Sequence, residues 1–182
     1  MRELILGGQR SGKSARAEML AAQWLAESPA HRAVFIATAT AWDDEMRERI
    51  ARHQRDRALR VPGMGTVEEP VDLAGVLAKN TATHTLVVVD CLTLWLTNLL
   101  MPAQGEAEQH GTRVAALVHA ISTHTAPLIL VSNEIGLGVI PMGAGVRAYV
   151  DALGRLNQQV AAVCDRVTLM AAGLPLTLKD KP

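Results

Sequence analysis

The sequence predicts an α/β fold built on a mostly parallel sheet with helices on both faces. Short runs of β-branched and aliphatic residues alternate with longer stretches at helical spacing, and the strand-like runs are apolar at every position rather than every second one. Strands buried on both faces read this way, and parallel strands are so buried because their crossovers lay helices on each side. The polar residues that stand out fall just after such runs, where open α/β sheets bind ligands.

In chain order, a strand at 4–6 ends in glycines, and a helix at 13–25 carries Met19, Leu20 and Trp24 at helical spacing. A second strand at 34–37 precedes a helix at 44–57 that Asp43 can N-cap. A short helix at 72–79 leads to an apolar strand at 86–90 ending in Asp90, then to a very apolar helix at 92–100. An amphipathic helix at 106–123, a strand at 128–131, a long helix at 146–163 and a strand at 166–170 follow; Gly173-Leu174-Pro175 turns into a last strand at 176–178. Segments 60–69 and 136–145, rich in Gly and Pro, show no regular pattern; loops of that length are often functional.

The chain has 182 residues, enough for one domain with a substantial core, and it is read as a single nucleotide-binding domain over 1–182. Formal net charge is zero, which removes the electrostatic case for a nucleic-acid partner. Cys91 and Cys164 are the only cysteines and show no zinc spacing, so a reducing compartment fits. The N-terminus has no signal-peptide pattern and no apolar run approaches a membrane span, so a cytoplasmic protein is expected.

Gly7-Gly8-Gln9-Arg10-Ser11-Gly12-Lys13-Ser14 follows a strand and opens a helix, the context a phosphate-binding P-loop requires. The glycines let backbone N–H groups wrap phosphates, and the helix N-terminus adds its positive end. Lys13 would reach the β- and γ-phosphates, and the Ser14 hydroxyl would ligate Mg²⁺. The fold class thus narrows to a P-loop NTPase (RecA-like). Asp90, at the end of its strand, either holds Mg²⁺ with Ser14 or caps the next helix.

On a helical wheel, Arg49, His53 and Arg57 share the face of Met46 and Ile50, which is expected to turn inward. Two arginines and a histidine aimed inward suit a phosphate site, where His53 could accept a nucleotidyl group. The same spacing also fits a histidine held by a backbone carbonyl beside arginines that reach water. His31, His84, His110, His119 and His124 show no ligand or triad spacing.

Together these motifs resemble the bifunctional adenosylcobinamide kinase / adenosylcobinamide-phosphate guanylyltransferase family of cobalamin biosynthesis. The likeness rests on the P-loop octet; Ile36-Ala37-Thr38-Ala39; Asp43-Asp44-Glu45-Met46 with Arg49-Ile50 and His53; Thr66-Val67-Glu68; Val89-Asp90-Cys91-Leu92-Thr93 with Thr97-Asn98-Leu99-Leu100; Asn133-Glu134-Ile135-Gly136-Leu137-Gly138 with Pro141; and Gly154-Arg155-Leu156-Asn157-Gln158. It implies phosphorylation of adenosylcobinamide by ATP or GTP, then GMP transfer from GTP through a guanylylated His53. It also implies that Ala37, Thr38, Ala39, Gln54, Arg55, Asp56, Arg57, Glu68 and Asp90 line the GTP site beside the P-loop, and that the protein is a homotrimer. Met64, Ala58 and Arg52 stand where members often have tryptophan, proline and a second histidine.

Two other readings stay in play. A P-loop small-molecule kinase without nucleotidyl transfer would leave His53 dispensable. A GTP-dependent regulator would want an Asn-Lys-x-Asp segment, which the sequence lacks.

Overall fold

The computed structural model describes residues 1–41, 43–101 and 110–181. In chain order the elements are β1 (Arg2–Gly7), α1 (Lys13–Glu27), β2 (Arg32–Ala37), α2 (Asp44–Arg60), β3 (Gly65–Glu68), α3 (Leu73–Lys79), β4 (Thr85–Asp90), α4 (Leu92–Leu100), α5 (His110–Thr123), β5 (Leu128–Asn133), α6 (Ala144–Val163), β6 (Arg166–Ala171) and β7 (Leu174–Asp180). The seven strands form one sheet in the order β3-β2-β4-β5-β1-β6-β7, parallel throughout except for the antiparallel β6–β7 pair.

Alternation along the strands feeds two cores. Leu4, Leu6, Val87, Val89, Leu128 and Leu130 point to the face covered by α3, α4, α5 and α6, where they meet Leu77, Trp95, Leu117 and Leu156. Ile5, Phe35, Leu86, Val88, Ile129 and Val131 point to the other face, against Ala17 and Ala21 of α1 and Val61 at the end of α2. Two apolar faces explain why these strands are hydrophobic at every position. The sheet also takes a charge: Glu3 on β1 is fully buried, accepts from the Thr168 hydroxyl at 2.7 Å and pairs with Arg16 of α1 at 3.4 Å. That ties the first helix to the strands beneath it.

Helix starts follow local chemistry. The Asp43 side chain accepts from the Met46 N–H and Asp72 from the Gly75 N–H, so each caps a helix beginning one residue later. Segment 60–69 corrects the sequence reading, because it contains β3. That strand has no buried residue and joins β2 by backbone pairing alone, so no hydrophobic period marks it. The last strand runs over Leu174–Asp180, longer than the expected 176–178. It follows a two-residue turn at Ala172 and Gly173, both at positive φ (53° and 79°), the conformation that matches hairpin twist. Pro175 is tolerated in it because β7 is an edge strand. Helix α6 begins at Ala144 rather than 146, and α2 reaches Arg60 rather than 57. Positions 106–109 of the expected fifth helix lie outside the described residues. No helix among the described residues is long and apolar enough to cross a membrane.

The first strand is pinned to the start of β6. The Arg2 N–H donates to Asp165 at 2.8 Å, and the Arg2 guanidinium pairs with the same carboxylate at 2.8 Å. Hydrogen bonding to Arg2 holds the Asp165 pKa down at about 2, against an ordinary 3.8. A carboxylate depressed on folding stabilises the native state above its unfolded pKa, and that contribution is lost as pH falls through the folded value. In urea titrations at a series of pH values, wild type should therefore lose stability between about pH 4 and pH 2 more steeply than Asp165→Asn. Parallel acid limbs would deny the pair this role.

Candidate active site

Because β1 to β5 run parallel, their carboxyl ends share one edge. Gly7 lies level with Asn133, and Ala37 lies level with both Glu68 and Asp90. Side chains leaving these strand ends therefore meet without long loops to carry them.

The P-loop bends through Gly7 (φ 154°), Arg10 (φ 56°) and Gly12 (φ 101°). A Cβ at Gly7 would lie 2.5 Å from the Met170 carbonyl oxygen and 2.5 Å from Ser11 Oγ, so space and backbone both require glycine there. The Ser11 carbonyl accepts from the Gly173 N–H at 3.0 Å, which braces the loop against the β6–β7 hairpin. Gly12 is the N-cap of α1 and supplies no side-chain acceptor; the first turn holds no acid, so its N–H groups suit an anion. Lys13 is 8% exposed and donates to the Gly8 carbonyl at 2.7 Å. Burial pushes its pKa below the ordinary lysine value, with Asp90 pulling the other way.

Ser14 Oγ donates to Asp90 Oδ2 at 2.7 Å, joining the first turn of α1 to the end of β4. A hydroxyl and a carboxylate are the hard oxygen donors Mg²⁺ prefers, and such a site draws its remaining ligands from phosphates and water. Among the described residues, no group of three or more His, Cys, Asp or Glu could hold a metal by itself. The residues present thus fit a cation shared with a bound nucleotide.

Of the Ala37-Thr38-Ala39 stretch, Thr38 is fully buried and ties two strand ends together. Its hydroxyl accepts from the Cys91 N–H at 2.8 Å and donates to the Cys91 carbonyl at 2.7 Å, across a cis Asp90–Cys91 peptide. The Thr38 carbonyl accepts from Asn98 Nδ2 at 2.8 Å. This buried clamp fixes the backbone beside Asp90. Burial pushes the Cys91 thiol up to about 12, so it stays protonated and inert. A second set of bonds, which the motifs did not reveal, orders the next strand end. The Asn133 N–H donates to Thr93 Oγ1 at 2.8 Å, the Asn133 carbonyl accepts from Asn157, and the Glu134 N–H donates to the Gly7 carbonyl at 3.0 Å. Tyr149, which carried no sequence signal, donates to the Thr93 carbonyl and meets the Thr97 hydroxyl, both at 3.0 Å.

Two strands from Asp90 lies a cleft of about 350 Å³ lined by Gln54, Arg57, Ala58, Met64, Thr66 and Glu68. Arg57 is 6% exposed, with its guanidinium 3.7 Å above the Phe35 ring and 3.2 Å from the Thr66 hydroxyl. Burial depresses its pKa, opposed by the charges of Glu18 and Asp90. Gln54 donates to Glu68 at 3.3 Å. The structure thus groups Gly7 to Ser14 with Asp90, and separately Gln54 and Arg57 with Glu68.

His53 corrects an expectation. The face shared with Met46 and Ile50 was expected to turn inward, and it does so at Arg57, which is buried, and at Met46 and Ile50, which are half-buried; His53 is exposed, as is Arg55, and Asp56 is half-buried. The inward stripe of α2 is centred on Arg57 and Val61, because the Arg57 guanidinium stacks on the Phe35 ring and Arg60 pairs with Glu18 of α1 at 2.9 Å. The side chain of Arg49 lies outside the described residues.

A family model for cobinamide kinase / cobinamide phosphate guanyltransferase matches residues 3–178. The chain belongs to that family. The bifunctional adenosylcobalamin biosynthesis protein CobP of Pseudomonas aeruginosa is 48% identical over 186 residues, covering 100% of this chain and 99% of the relative. The bifunctional adenosylcobalamin biosynthesis protein CobU of Salmonella typhimurium is 32% identical, and its namesake in Escherichia coli 30%, each covering 97% of this chain and 98% of the relative. The family match takes in the P-loop, Asp90 and the Arg57 cleft.

Two variants test this site. Gly7→Ala should lower stability by about 1–3 kcal/mol in urea titration, the usual cost of overpacking; a neutral result would mean the loop relaxes freely. Asp90→Asn should reduce turnover by about a hundredfold and move its Mg²⁺ dependence to higher concentration, the scale of removing one charge-stabilising group. An unchanged Mg²⁺ profile would take Asp90 out of metal binding.

Proposed function

We propose that one nucleotide-binding unit carries both family reactions, the phosphorylation of adenosylcobinamide and the transfer of GMP to the resulting phosphate through His53. The supporting observation is the adjacency of two clefts suited to phosphorylated ligands at one sheet edge: the P-loop with Lys13, Ser14 and Asp90, and the arginine-floored cleft under α2.

For the kinase step, the P-loop amides and Lys13 hold the β- and γ-phosphates of ATP or GTP and stabilise charge as the γ-phosphoryl moves to the substrate hydroxyl. Ser14 and Asp90 would hold Mg²⁺, which neutralises charge on the phosphates. For the transferase step, a His53 ring nitrogen attacks the α-phosphorus of GTP. The bond to the β-phosphate oxygen breaks, pyrophosphate leaves with its electron pair, and a histidine–GMP bond forms. An oxygen of adenosylcobinamide phosphate then attacks that phosphorus, releasing free histidine and adenosylcobinamide-GDP. Exposure of His53 supports this reading, since its ring is open to a large second substrate. Gln54, Arg57 and Glu68 would hold the nucleotide during transfer, with Arg57 a fixed positive charge.

A homotrimer is part of the same proposal. The exposed row Leu174, Leu176 and Leu178 on edge strand β7 gives subunits an apolar surface to bury. A cytoplasmic setting suits two buried, unpaired cysteines.

Incubation with Mg²⁺ and α-labelled GTP, followed by denaturation, should leave acid-labile, alkali-stable label on wild type and none on His53→Ala. Equal labelling of both would move the nucleophile elsewhere. No label on either, with GTP binding intact, would favour a P-loop kinase without nucleotidyl transfer.

A further inference from the structure

Beside the P-loop lies a larger groove, of about 640 Å³, that the nucleotide chemistry does not use. One wall is the loop at 135–141, whose Ile135, Val139 and Ile140 line it; the other is α6, through Val150, Gly154 and the polar side chains at 151, 155 and 158. We propose that this groove receives the corrin ring of the substrate, presenting its aminopropanol arm to the P-loop; the assignment rests on the cobinamide activity proposed above.

Four features point to such an occupant. First, the loop is strongly apolar yet uncovered: Val139 is 96% exposed, Met142 97%, Leu137 82% and Ile140 78%. A monomer rarely shows so continuous an apolar patch without something to bury it. Second, the groove adjoins the phosphate site. Ile135 follows Glu134, whose N–H donates to the Gly7 carbonyl, so a ligand lying here has the P-loop at its edge. Third, Gly154 sits mid-helix in the groove floor, and a Cβ built on it meets nothing within 4 Å. Glycine is among the poorest residues for a helix interior. Packing within the chain gives no reason for it; a smooth floor for a broad, rigid ligand does. Fourth, Asp151 and Arg155 stand four residues apart on α6 but form no ion pair with each other or with any other described residue. A free carboxylate, a free guanidinium and the Gln158 amide supply acceptors and donors together. That mixture matches the uncharged amide arms around a corrin rim, each with a C=O and an N–H. Arg147 also lines the groove, but its guanidinium donates to the Pro141 and Met142 carbonyls and so braces the loop.

The test is titration of adenosylcobinamide, without nucleotide, into wild type, Gly154→Leu and Val139→Asp, followed by calorimetry, with GTP affinity, thermal unfolding and light scattering on each. Leucine is a better helix former than glycine and has open space here, so Gly154→Leu should unfold no earlier than wild type. Both variants should bind the corrinoid at least about tenfold more weakly, with GTP affinity and oligomeric state unchanged. If wild type phosphorylates adenosylcobinamide and both variants bind it as tightly as wild type, the groove assignment fails and the enzymatic reading stands. Weakened binding accompanied by dissociation of an oligomer would overturn it in favour of a contact between copies. If wild type binds GTP but neither binds nor phosphorylates adenosylcobinamide, the activity reading fails and takes the assignment with it.

Discussion

The hydrogen bond from Ser14 to Asp90 spans the end of a third strand: β1 and β5 finish level at Gly7 and Asn133, and β4 stops opposite Val131, so the first turn of α1 reaches Asp90 across β5. Parallel pairing sets that level. Once Gly7 is opposite Asn133 and Ala37 is opposite Asp90, the phosphate loop, the acid and the arginine cleft all open on the same edge. The helices are consequences of the same constraint. Each returns the chain across a face of the sheet, and its apolar side closes one of the two cores.

Polar side chains hold this edge in shape more than apolar ones do. Thr38 spends its hydroxyl on both groups of Cys91, Thr93 accepts from Asn133, and Asn98 and Asn157 donate to strand-end carbonyls. Backbone groups where strands stop have no ladder partner, and these side chains supply one. The strand ends are thereby rigid before any ligand arrives, which is what a site needs if its groups are to meet phosphates at fixed distances.

Much of this was legible in the sequence, and the reason is locality. The P-loop, the Asp43 cap and the fully apolar strands are each encoded within a dozen neighbouring residues. What escaped depends on partners far along the chain. Strand β3 shows no pattern because backbone pairing with β2 alone defines it. The inward face of α2 was placed through Met46, Ile50 and Arg57, but the exposure of His53 at its edge was not, because the stacking of the Arg57 guanidinium on Phe35 sets how the helix is turned. The Thr38 clamp carries no local signal, because its partner Cys91 lies 53 residues away. Tyr149 joins α4 from α6, 52 residues beyond Thr97, and no spacing rule announces it.

The brace from Gly173 to Ser11 has a consequence for how the protein comes into being. The phosphate loop is written in the opening residues, yet its outer wall is Met170 and its support is the hairpin that follows β6. β1 likewise lies between β5 and β6, both of which are synthesised much later. During translation the loop therefore lacks this brace until residues 170–173 have been made, about 160 residues after the loop itself.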